Sequence, residues 1–536
     1  MTNRRIRSAL IGHAADSFGT ERSAGRNAAS RDLLLIGVGA AVLATLLGLL
    51  VAVFPTGAVI KIGVLLAGGV VLLLAFISVR SADGASSGRI ARAAVDAWAF
   101  LIGVCPIYLP FKFGPLPGLN PTRVSFGVVI CAAAFALITS PDLRARLSQR
   151  IAGLGWVFKL IVGFMAWLMI ASLIADESIA SLYAFAKDFL PGLMMLLVVL
   201  ALYRDRGDIE RTAAWLWLGA GVACAIAIYE WRTNSNPFIG LMAIDTDDLI
   251  GLDWIVSYRL RGGEYRVSGP FAHPLTFGEY LAMVTPVAIM LAAMARRPWL
   301  RLAAAVSVPL FLFVSYLTHT RSSSIALAAG LFAMLTLVGL RAVRRRDRPG
   351  LAMLGWFVLV VVLASAVFAS GAITNLAQGR TAEEAGSSRA RILMFERGAA
   401  LVADQPLQGY GLGTAAAVIG PMPGHRTLTI DSFFLSLALE SGVVGLVLFV
   451  SAMSILLVRL AVTSVSAPGG EAWVLMAFAT GLAASMITKV VLSLNHNLNL
   501  FFWFIGIAGV TIALLRQARP PGSSGETRPA PHRPRG

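Results

Sequence analysis

The chain has 536 residues, of which 57% are apolar and only 14% are charged, and its mean hydropathy is +0.76. No ordinary soluble domain has this composition, so the sequence predicts an all-α protein that crosses a lipid bilayer many times. In a soluble protein the formal net charge of +17 would suggest nucleic-acid binding. Here most basic residues fall in short loops between apolar segments, so they indicate topology and no nucleic-acid partner is expected.

The first 30 residues are basic and precede a long apolar run. They contain no short apolar core followed by a small-residue cleavage site, so a removable signal peptide is not predicted. We expect residues 1–30 to be a cytoplasmic segment, with the first span acting as the targeting signal. The three cysteines lie in apolar segments and are expected to be small core residues without a disulfide or metal role: Cys105, Cys131 and Cys224.

Apolar runs long enough to span a bilayer, about 20 residues each, recur about fourteen times along the chain. They lie near residues 33–54, 58–78, 93–111, 122–140, 154–174, 185–203, 213–231, 275–295, 302–318, 323–340, 351–370, 433–458, 472–494 and 498–515. This predicts three groups of transmembrane helices, within 31–231, 275–370 and 433–516, and a disordered tail at 517–536. With an even number of spans, both termini are expected on the cytoplasmic side.

Every short loop assigned to the cytoplasmic side is basic, which is the usual bias of inner loops. The residues concerned are Arg80, Arg89 and Arg92; Arg144, Arg146 and Arg150; Arg204, Arg206 and Arg211; Arg296, Arg297 and Arg301; Arg341, Arg344, Arg345, Arg346 and Arg348; and Arg459. Two long loops, 232–274 and 371–432, then lie outside and are expected to contain short helices. Function is expected on this outer face.

Cations also stand at the predicted outer ends, where the same bias disfavours them. They are Lys61, Lys112, Lys187, Arg266, Arg321, Arg389, Arg391 and Lys489. An anionic ligand such as a lipid-linked pyrophosphate would account for them. Snorkelling toward lipid head groups is the alternative, and it suits Lys61 and Lys112 better than Arg321, which has almost no loop around it.

The second long loop contains a predicted amphipathic helix at 389–403 that ends before Pro406. Ser387 or Ser388 is the expected N-cap. Arg389 and Arg391 would then lie in the first turn, where the helix N-terminus and two guanidinium groups favour a phosphate. An ordinary solvated basic surface explains the two arginines equally well. The apolar face follows steps of three and four residues: Ile392, Phe395, Ala399 and Val402.

Five short motifs follow one another between about residues 260 and 450. They are Arg266-Val267-Ser268-Gly269-Pro270-Phe271, Thr320-Arg321-Ser322-Ser323, the pair Arg389 and Arg391, Pro406-Leu407-Gln408-Gly409-Tyr410-Gly411, and Asp431-Ser432 with Glu440-Ser441-Gly442-Val443-Val444-Gly445. None is specific alone, and Gly409–Gly413 is not a nucleotide fingerprint because no strand precedes it. In this order they resemble the O-antigen ligase and polymerase superfamily of bacterial envelopes.

The resemblance implies a metal-independent glycosyltransferase without a cofactor, acting at the outer face of the bacterial inner membrane. Such an enzyme moves a glycan from undecaprenyl pyrophosphate to a hydroxyl group of a glycan or lipid acceptor. It needs cations for the pyrophosphate and a base for the acceptor proton. Lys489 could support phosphate binding from an adjoining span. The arginines that match the pyrophosphate role are Arg266, Arg321, Arg389 and Arg391.

Asp431 is the first candidate for the base, and capping of the helix that begins at Ser432 or Phe433 is its alternative role. Ligases of this superfamily usually have a histidine at the position aligned with Asp431. An aspartate followed by a small polar residue looks more like the exopolysaccharide or O-antigen polymerase branch, so polymerase is favoured over a ligase that acts on lipid A core. His425 could replace the missing histidine if the loop folds back, although a loop histidine is more often solvated.

Two further histidines could line the path of the sugar. His273 stands in the first arginine motif, where a structural role is the alternative, and His496 stands at an outer helix end, where it could be an interfacial cap. A lipid-linked glycan flippase is the competing class of protein. A flippase would show internal repeats and charges near the bilayer midplane. This sequence has no obvious internal repeat, and its ionisable residues gather at the outer ends of the predicted spans.

The topology is tested by reporter fusions at Arg346 and Ala415. We expect the two reporters in opposite compartments, because Arg346 lies in a basic loop and Ala415 in the second long loop. Reporters that report the same compartment would contradict both the topology and the function assigned to the outer face.

Overall fold

The computed structural model describes residues 84–106, 108, 120–238, 259–261, 264–344, 382–421, 430–493 and 495–518, together with a few helical residues between 349 and 360. All of them belong to one compact unit, Val70–Gly536. The predicted spans near 33–54 and 58–78, and most of the one near 351–370, lie outside the described residues.

Helices make up about four fifths of the described chain. In order they are α1 (Gly84–Val104), α2 (Pro121–Thr139), α3 (Pro141–Leu154), α4 (Trp156–Ile174), α5 (Ser178–Ala184), α6 (Leu190–Leu202), α7 (Arg206–Thr233), α8 (Pro274–Met294), α9 (Pro298–Leu317), α10 (Arg321–Arg344), α11 (Ala382–Asp404), α12 (Ala415–Ile419), α13 (Phe433–Ser466), α14 (Glu471–Lys489) and α15 (Leu498–Gln517). A π-helical turn, Phe185–Phe189, joins α5 to α6.

Ten helical stretches of the described part are long and apolar enough to cross a membrane. The prediction of an all-α polytopic membrane protein is confirmed, and these residues do not test the count of about fourteen spans. The predicted span near 93–111 becomes α1, which is not among the ten and carries Arg89, Arg92 and Asp96. Most other boundaries agree within a few residues, because apolar length marks a span directly.

Three of the spans form the centre of the described part. More than four fifths of α8 and α15 and nearly three quarters of α14 are buried inside the protein, whereas no more than a third of α2, α9 and α10 is buried. A helix that is apolar all round is suited to such a buried position. The outer helices therefore present their apolar side chains to lipid. The three cysteines were predicted to be small core residues. Cys224 is buried, whereas Cys131 of α2 is exposed and Cys105 is of intermediate exposure.

One face of the bundle is lined with arginines, and we call the helix ends that carry Arg144, Arg150, Arg341 and Arg459 the arginine face. These side chains donate hydrogen bonds to carbonyl oxygens at the ends of α2, α6, α13 and α3, respectively. Arg150 Nη1, for example, lies 2.7 Å from the carbonyl oxygen of Leu200. The basic residues that indicate topology in the sequence thus also satisfy helix C-termini, which have no donors of their own.

The opposite helix ends form the site face, where α8, α10, α13 and α15 begin and α7, α9 and α14 end. Here the described part of the first long loop contains a small antiparallel hairpin, β1 (Leu260–Arg261) paired with β2 (Glu264–Tyr265). The short helix expected in this loop is not present in its described part. The second long loop does contain the helices α11 and α12.

Helix α13 is interrupted at Gly442, whose φ of 68° and ψ of −176° are not helical. The loop after α11 fits into this break: the N–H of Val443 donates to the carbonyl oxygen of Pro406 at 2.8 Å. A Cβ atom on Gly442 would lie only 1.9 Å from the carbonyl oxygen of Leu407. Both the left-handed conformation and the close approach of two backbones therefore require glycine at this position.

The break in α13 would leave two carbonyl groups without helical partners. The loop supplies the missing donors, because the N–H of Tyr410 donates to Leu439 at 2.7 Å and the N–H of Gly411 donates to Glu440 at 3.0 Å. An unsatisfied backbone group costs several kcal/mol in a membrane. The loop and the broken helix therefore stabilise each other.

Gly442→Ala is expected to destabilise the protein by about 2–5 kcal/mol, because it adds backbone strain to a steric clash with the loop. Unfolding in detergent would be measured against Gly221→Ala, in which the added Cβ atom meets nothing within 4 Å. Equal stability of the two variants would show that the loop can move away from α13 at little cost.

Candidate functional site

Arg266 lies in the stretch that joins β2 to α8. Its N–H donates to the carbonyl oxygen of Arg259 at 2.7 Å, and its Nε donates to that of Thr318 at 3.2 Å. The next residue, Val267, donates to the carbonyl oxygen of Leu317 at 3.3 Å. The Arg266 side chain is only 5% exposed. It is therefore held in a buried position against the turn between α9 and α10.

Arg321 is the first residue of α10 and follows this same turn. The beginning of α10 packs closely on α8: a Cβ atom on Gly278 would lie 2.4 Å from the Ser323 side chain, and Ser323 Oγ lies 3.4 Å from the carbonyl oxygen of Leu275. Arg321 is half-buried. The structure thus brings the segments that carry Arg266 and Arg321 together at the site face.

His273 is the N-cap of α8, where its Nδ1 accepts a hydrogen bond from the N–H of Leu275 at 3.1 Å. Burial lowers the pKa of His273 to about 3, and the nearby positive charges of Arg266, His496 and Arg259 act in the same direction. The imidazole is therefore neutral at physiological pH and contributes no cation to the site. His496 lies in the turn before α15, close enough to His273 to affect its protonation.

Lys489 ends α14 and is completely buried. Its Nζ lies 3.4 Å from Glu279 Oε1 and 4.9 Å from the centre of the Phe433 ring. The first distance exceeds that of a good hydrogen bond, so the contact is ionic. Glu279 also accepts hydrogen bonds from Ser485 Oγ at 2.6 Å and Asn497 Nδ2 at 3.0 Å. The ammonium group predicted to support phosphate binding thus faces a buried carboxylate of α8.

Asp431 lies just before α13 and pairs with Arg391 of α11, with Nε 3.3 Å from Oδ2. The two side chains remain 39% and 31% exposed, respectively, so a ligand can reach both. Asp431 does not cap α13. That role belongs to Ser432, whose Oγ accepts from the N–H of Leu435 at 3.4 Å. The helix-cap alternative for Asp431 is therefore wrong, because the neighbouring serine already satisfies the first turn.

Helix α11 begins at Ala382, so the prediction that Ser387 or Ser388 caps it is wrong. Good helix formers precede the serines, and acidic residues at a helix N-terminus favour an earlier start. Arg391 consequently lies inside the helix, and the helix dipole does not contribute to a phosphate site there. The side chain of Arg389 and the whole of His425 lie outside the described residues.

The Glu279–Lys489 pair is connected to the segment of Arg321 and to the segment of Asp431. Glu279 follows Gly278, which packs on the helix that Arg321 begins. Lys489 contacts Phe433, two residues after Asp431. The connection between α14 and α15 also reaches this region, since Ser493 Oγ donates to the carbonyl oxygen of the residue before Asp431.

Two buried acidic residues of the site face were not predicted from the sequence to be part of the site. Glu279 and Glu230 are both fully buried, and each makes several polar contacts at the site face. Each is a single acidic residue in an apolar run, which is the usual sign of a functional or structural polar site inside a membrane protein. Within the described part of the chain, no group of three or more His, Cys, Asp and Glu residues could hold a metal ion.

These features define a polytopic α-helical membrane protein with a cationic and acidic site at one set of helix ends. Residues 306–450, about a quarter of the chain, match the family model of the O-antigen ligase. This match confirms the resemblance to the O-antigen ligase and polymerase superfamily over that part of the chain, and it supports a glycan-transfer function of that general type. It includes Arg321, Arg391 and Asp431 but not Arg266. No curated protein matches the chain.

Proposed function

We propose that the protein is a polysaccharide polymerase that works at the outer face of the bacterial inner membrane. Its donor is a glycan linked to undecaprenyl pyrophosphate, and its acceptor is a hydroxyl group of another lipid-linked glycan. Both termini are cytoplasmic on this proposal, so the site face is the periplasmic one. The reaction needs neither a metal nor a cofactor.

In the proposed reaction the acceptor oxygen attacks the anomeric carbon of the donor sugar. A new glycosidic C–O bond forms while the bond between that carbon and the phosphate oxygen breaks, and the pyrophosphate leaves with its polyprenyl chain. The acceptor proton goes to the carboxylate of Asp431. Negative charge grows on the leaving phosphate, so guanidinium groups placed beside it stabilise the transition state.

The observation that carries the proposal is the partly exposed Arg391–Asp431 pair within the region that matches the O-antigen ligase family. One partner supplies a cation for the phosphate and the other a carboxylate for the proton, at adjacent positions. Arg266 and Arg321, on the turn between α9 and α10, would supply further charge. Arg389 and His425 are included on the sequence motifs alone. Lys489 is completely buried and contacts Glu279, so it would support phosphate binding from inside the protein.

The aspartate at position 431 favours a polymerase over a ligase acting on lipid A core, because ligases of the superfamily usually have a histidine there. A flippase would need to carry the lipid-linked glycan through the bilayer centre. The candidate site residues lie instead at helix ends: Arg321, Lys489 and Asp431 stand at or next to the ends of α10, α14 and α13. This position favours chemistry at the membrane surface.

The function is tested with the purified full-length chain in liposomes that contain polyprenyl-pyrophosphate-linked repeat units. We expect a ladder of lengthened glycans. Arg321→Lys should reduce its rate at least about tenfold, since a point charge does not replace a bidentate guanidinium group. Arg344→Lys, at the other end of the same helix, is the matched control and should be silent.

Other products would identify the competing functions. Transfer only to added lipid A core would favour the ligase. Movement of the lipid-linked glycan across the liposome membrane without lengthening would favour the flippase, and both results would contradict the polymerase.

Asp431→Asn tests the role of the carboxylate. Asparagine can still accept a hydrogen bond from Arg391 but is not a base, so turnover should fall by roughly 10²- to 10⁴-fold while donor binding changes little. Rates and donor dissociation constants would be measured separately on the folded variant. Near-normal turnover would show that Asp431 only orients Arg391.

A further inference from the structure

A buried polar network surrounds Glu230, near the end of α7. The Glu230 side chain is fully buried and forms an ion pair with Arg259, which is itself only 2% exposed. Its Oε1 also accepts a hydrogen bond from Tyr265 Oη at 2.9 Å. Its Oε2 accepts from the N–H groups of Ser268 at 3.1 Å and Gly269 at 2.7 Å. Both carboxylate oxygens are thus engaged.

These partners all belong to the segment that carries Arg266. Arg259 stands just before β1 and Tyr265 is the last residue of β2, and the backbone N–H of Arg266 donates to the Arg259 carbonyl oxygen at 2.7 Å. Ser268 and Gly269 follow Arg266 by two and three residues. Glu230 therefore holds this segment from both sides, before and after the arginine.

A second side chain fixes the same segment to α7. Asn236, which lies just beyond the end of α7, donates from Nδ2 to the carbonyl oxygen of Gly269 at 2.9 Å. Asn236 Oδ1 in turn accepts from Tyr108 Oη at 3.1 Å and from the N–H of Phe238 at 3.0 Å. The Arg266 segment is thus tied to α7 on one side and to the turn between α9 and α10 on the other.

We infer that Glu230 is a positioning residue, which fixes the Ser268–Gly269 backbone so that Arg266 is oriented toward the donor pyrophosphate. The inference rests on the proposed function, since it takes that ligand as given. A buried ion pair contributes little net stability compared with apolar side chains of similar volume. A carboxylate whose two oxygens bind a guanidinium, a phenol and two amides does, however, define one geometry for the segment, because every partner must be satisfied.

Two charge-neutral double variants separate positioning from simple neutralisation of Arg259. Glu230→Gln with Arg259→Gln removes the ion pair but keeps one side-chain oxygen that can accept from the two amides. Glu230→Met with Arg259→Met removes the ion pair and every acceptor. If Glu230 only neutralises Arg259, the two double variants should bind the donor alike.

The measured quantity is the dissociation constant for polyprenyl pyrophosphate, with full-length protein in lipid nanodiscs. We expect the Gln pair to bind the donor within about threefold of wild type. The Met pair should bind it at least about tenfold more weakly than wild type, a loss of about 1.4 kcal/mol or more of binding free energy. In an Arg266→Ala background, the Met pair should cause no further loss, because Glu230 acts through Arg266. Tight binding by the Met pair would overturn the inference.

Glu230→Asp is a second test in case the Met pair does not fold. It keeps a negative charge near Arg259 but is one methylene group shorter, so its oxygens cannot reach all four partners of Glu230 at once. Donor affinity should fall about tenfold while folding is retained. Wild-type affinity of the aspartate variant would also overturn the inference.

Controls separate a failure of this inference from a failure of the proposed function. Asp96→Asn breaks another ion pair of α7, near the opposite end of that helix from Glu230, where Arg211 Nε lies 2.6 Å from Asp96 Oδ2 of α1 and the Arg211 side chain is 37% exposed. This variant should leave donor affinity unchanged. If Arg266→Ala alone leaves affinity unchanged, the pyrophosphate role of Arg266 fails. If Arg266→Ala weakens binding but the Glu230 variants do not, only the positioning role fails.

Discussion

The structure depends on the requirement that backbone polar groups inside a membrane find partners within the protein, since lipid offers none. Arginines meet this requirement at the arginine face, where Arg144, Arg150, Arg341 and Arg459 donate to the carbonyl oxygens of helix ends. A loop meets it at the site face, where Tyr410 and Gly411 donate to the carbonyl groups exposed by the break in α13. The same requirement thus explains the basic loops and the glycine-rich segment.

At the site face, buried charged side chains likewise have their partners within the protein. Glu279 and Glu230 are fully buried, and each is matched by a cation and by several hydrogen-bond donors. An unpaired charge in such a place would be very costly. The pair of Arg391 and Asp431 differs, because both side chains are partly exposed. The two buried pairs therefore belong to the internal packing of the site face, whereas the Arg391–Asp431 pair is partly exposed.

On the proposed function, this division would separate residues that contact a substrate from residues that position them. Arg266 is itself mostly buried, and its orientation depends on the hairpin, on α7 and on the turn between α9 and α10. His273 is neutral and caps α8, so it belongs to the frame. The proposed glycosyl-transfer site would need this support, because catalysis by oriented charges requires that the charges be held in place before the substrate binds.

The sequence by itself determined the membrane class, most helix positions, the basic face and the resemblance to the ligase and polymerase superfamily. These properties are local, because a run of apolar residues or a cluster of arginines has the same meaning wherever the chain folds. Tertiary structure alone decided the partners of Glu230 and Glu279, the seating of a loop in the break at Gly442, and the pairing of Arg391 with Asp431. Glu279 and Ser485 are 206 positions apart in the chain, and no local pattern specifies which distant side chain will satisfy a buried carboxylate. That choice depends on how the helices pack.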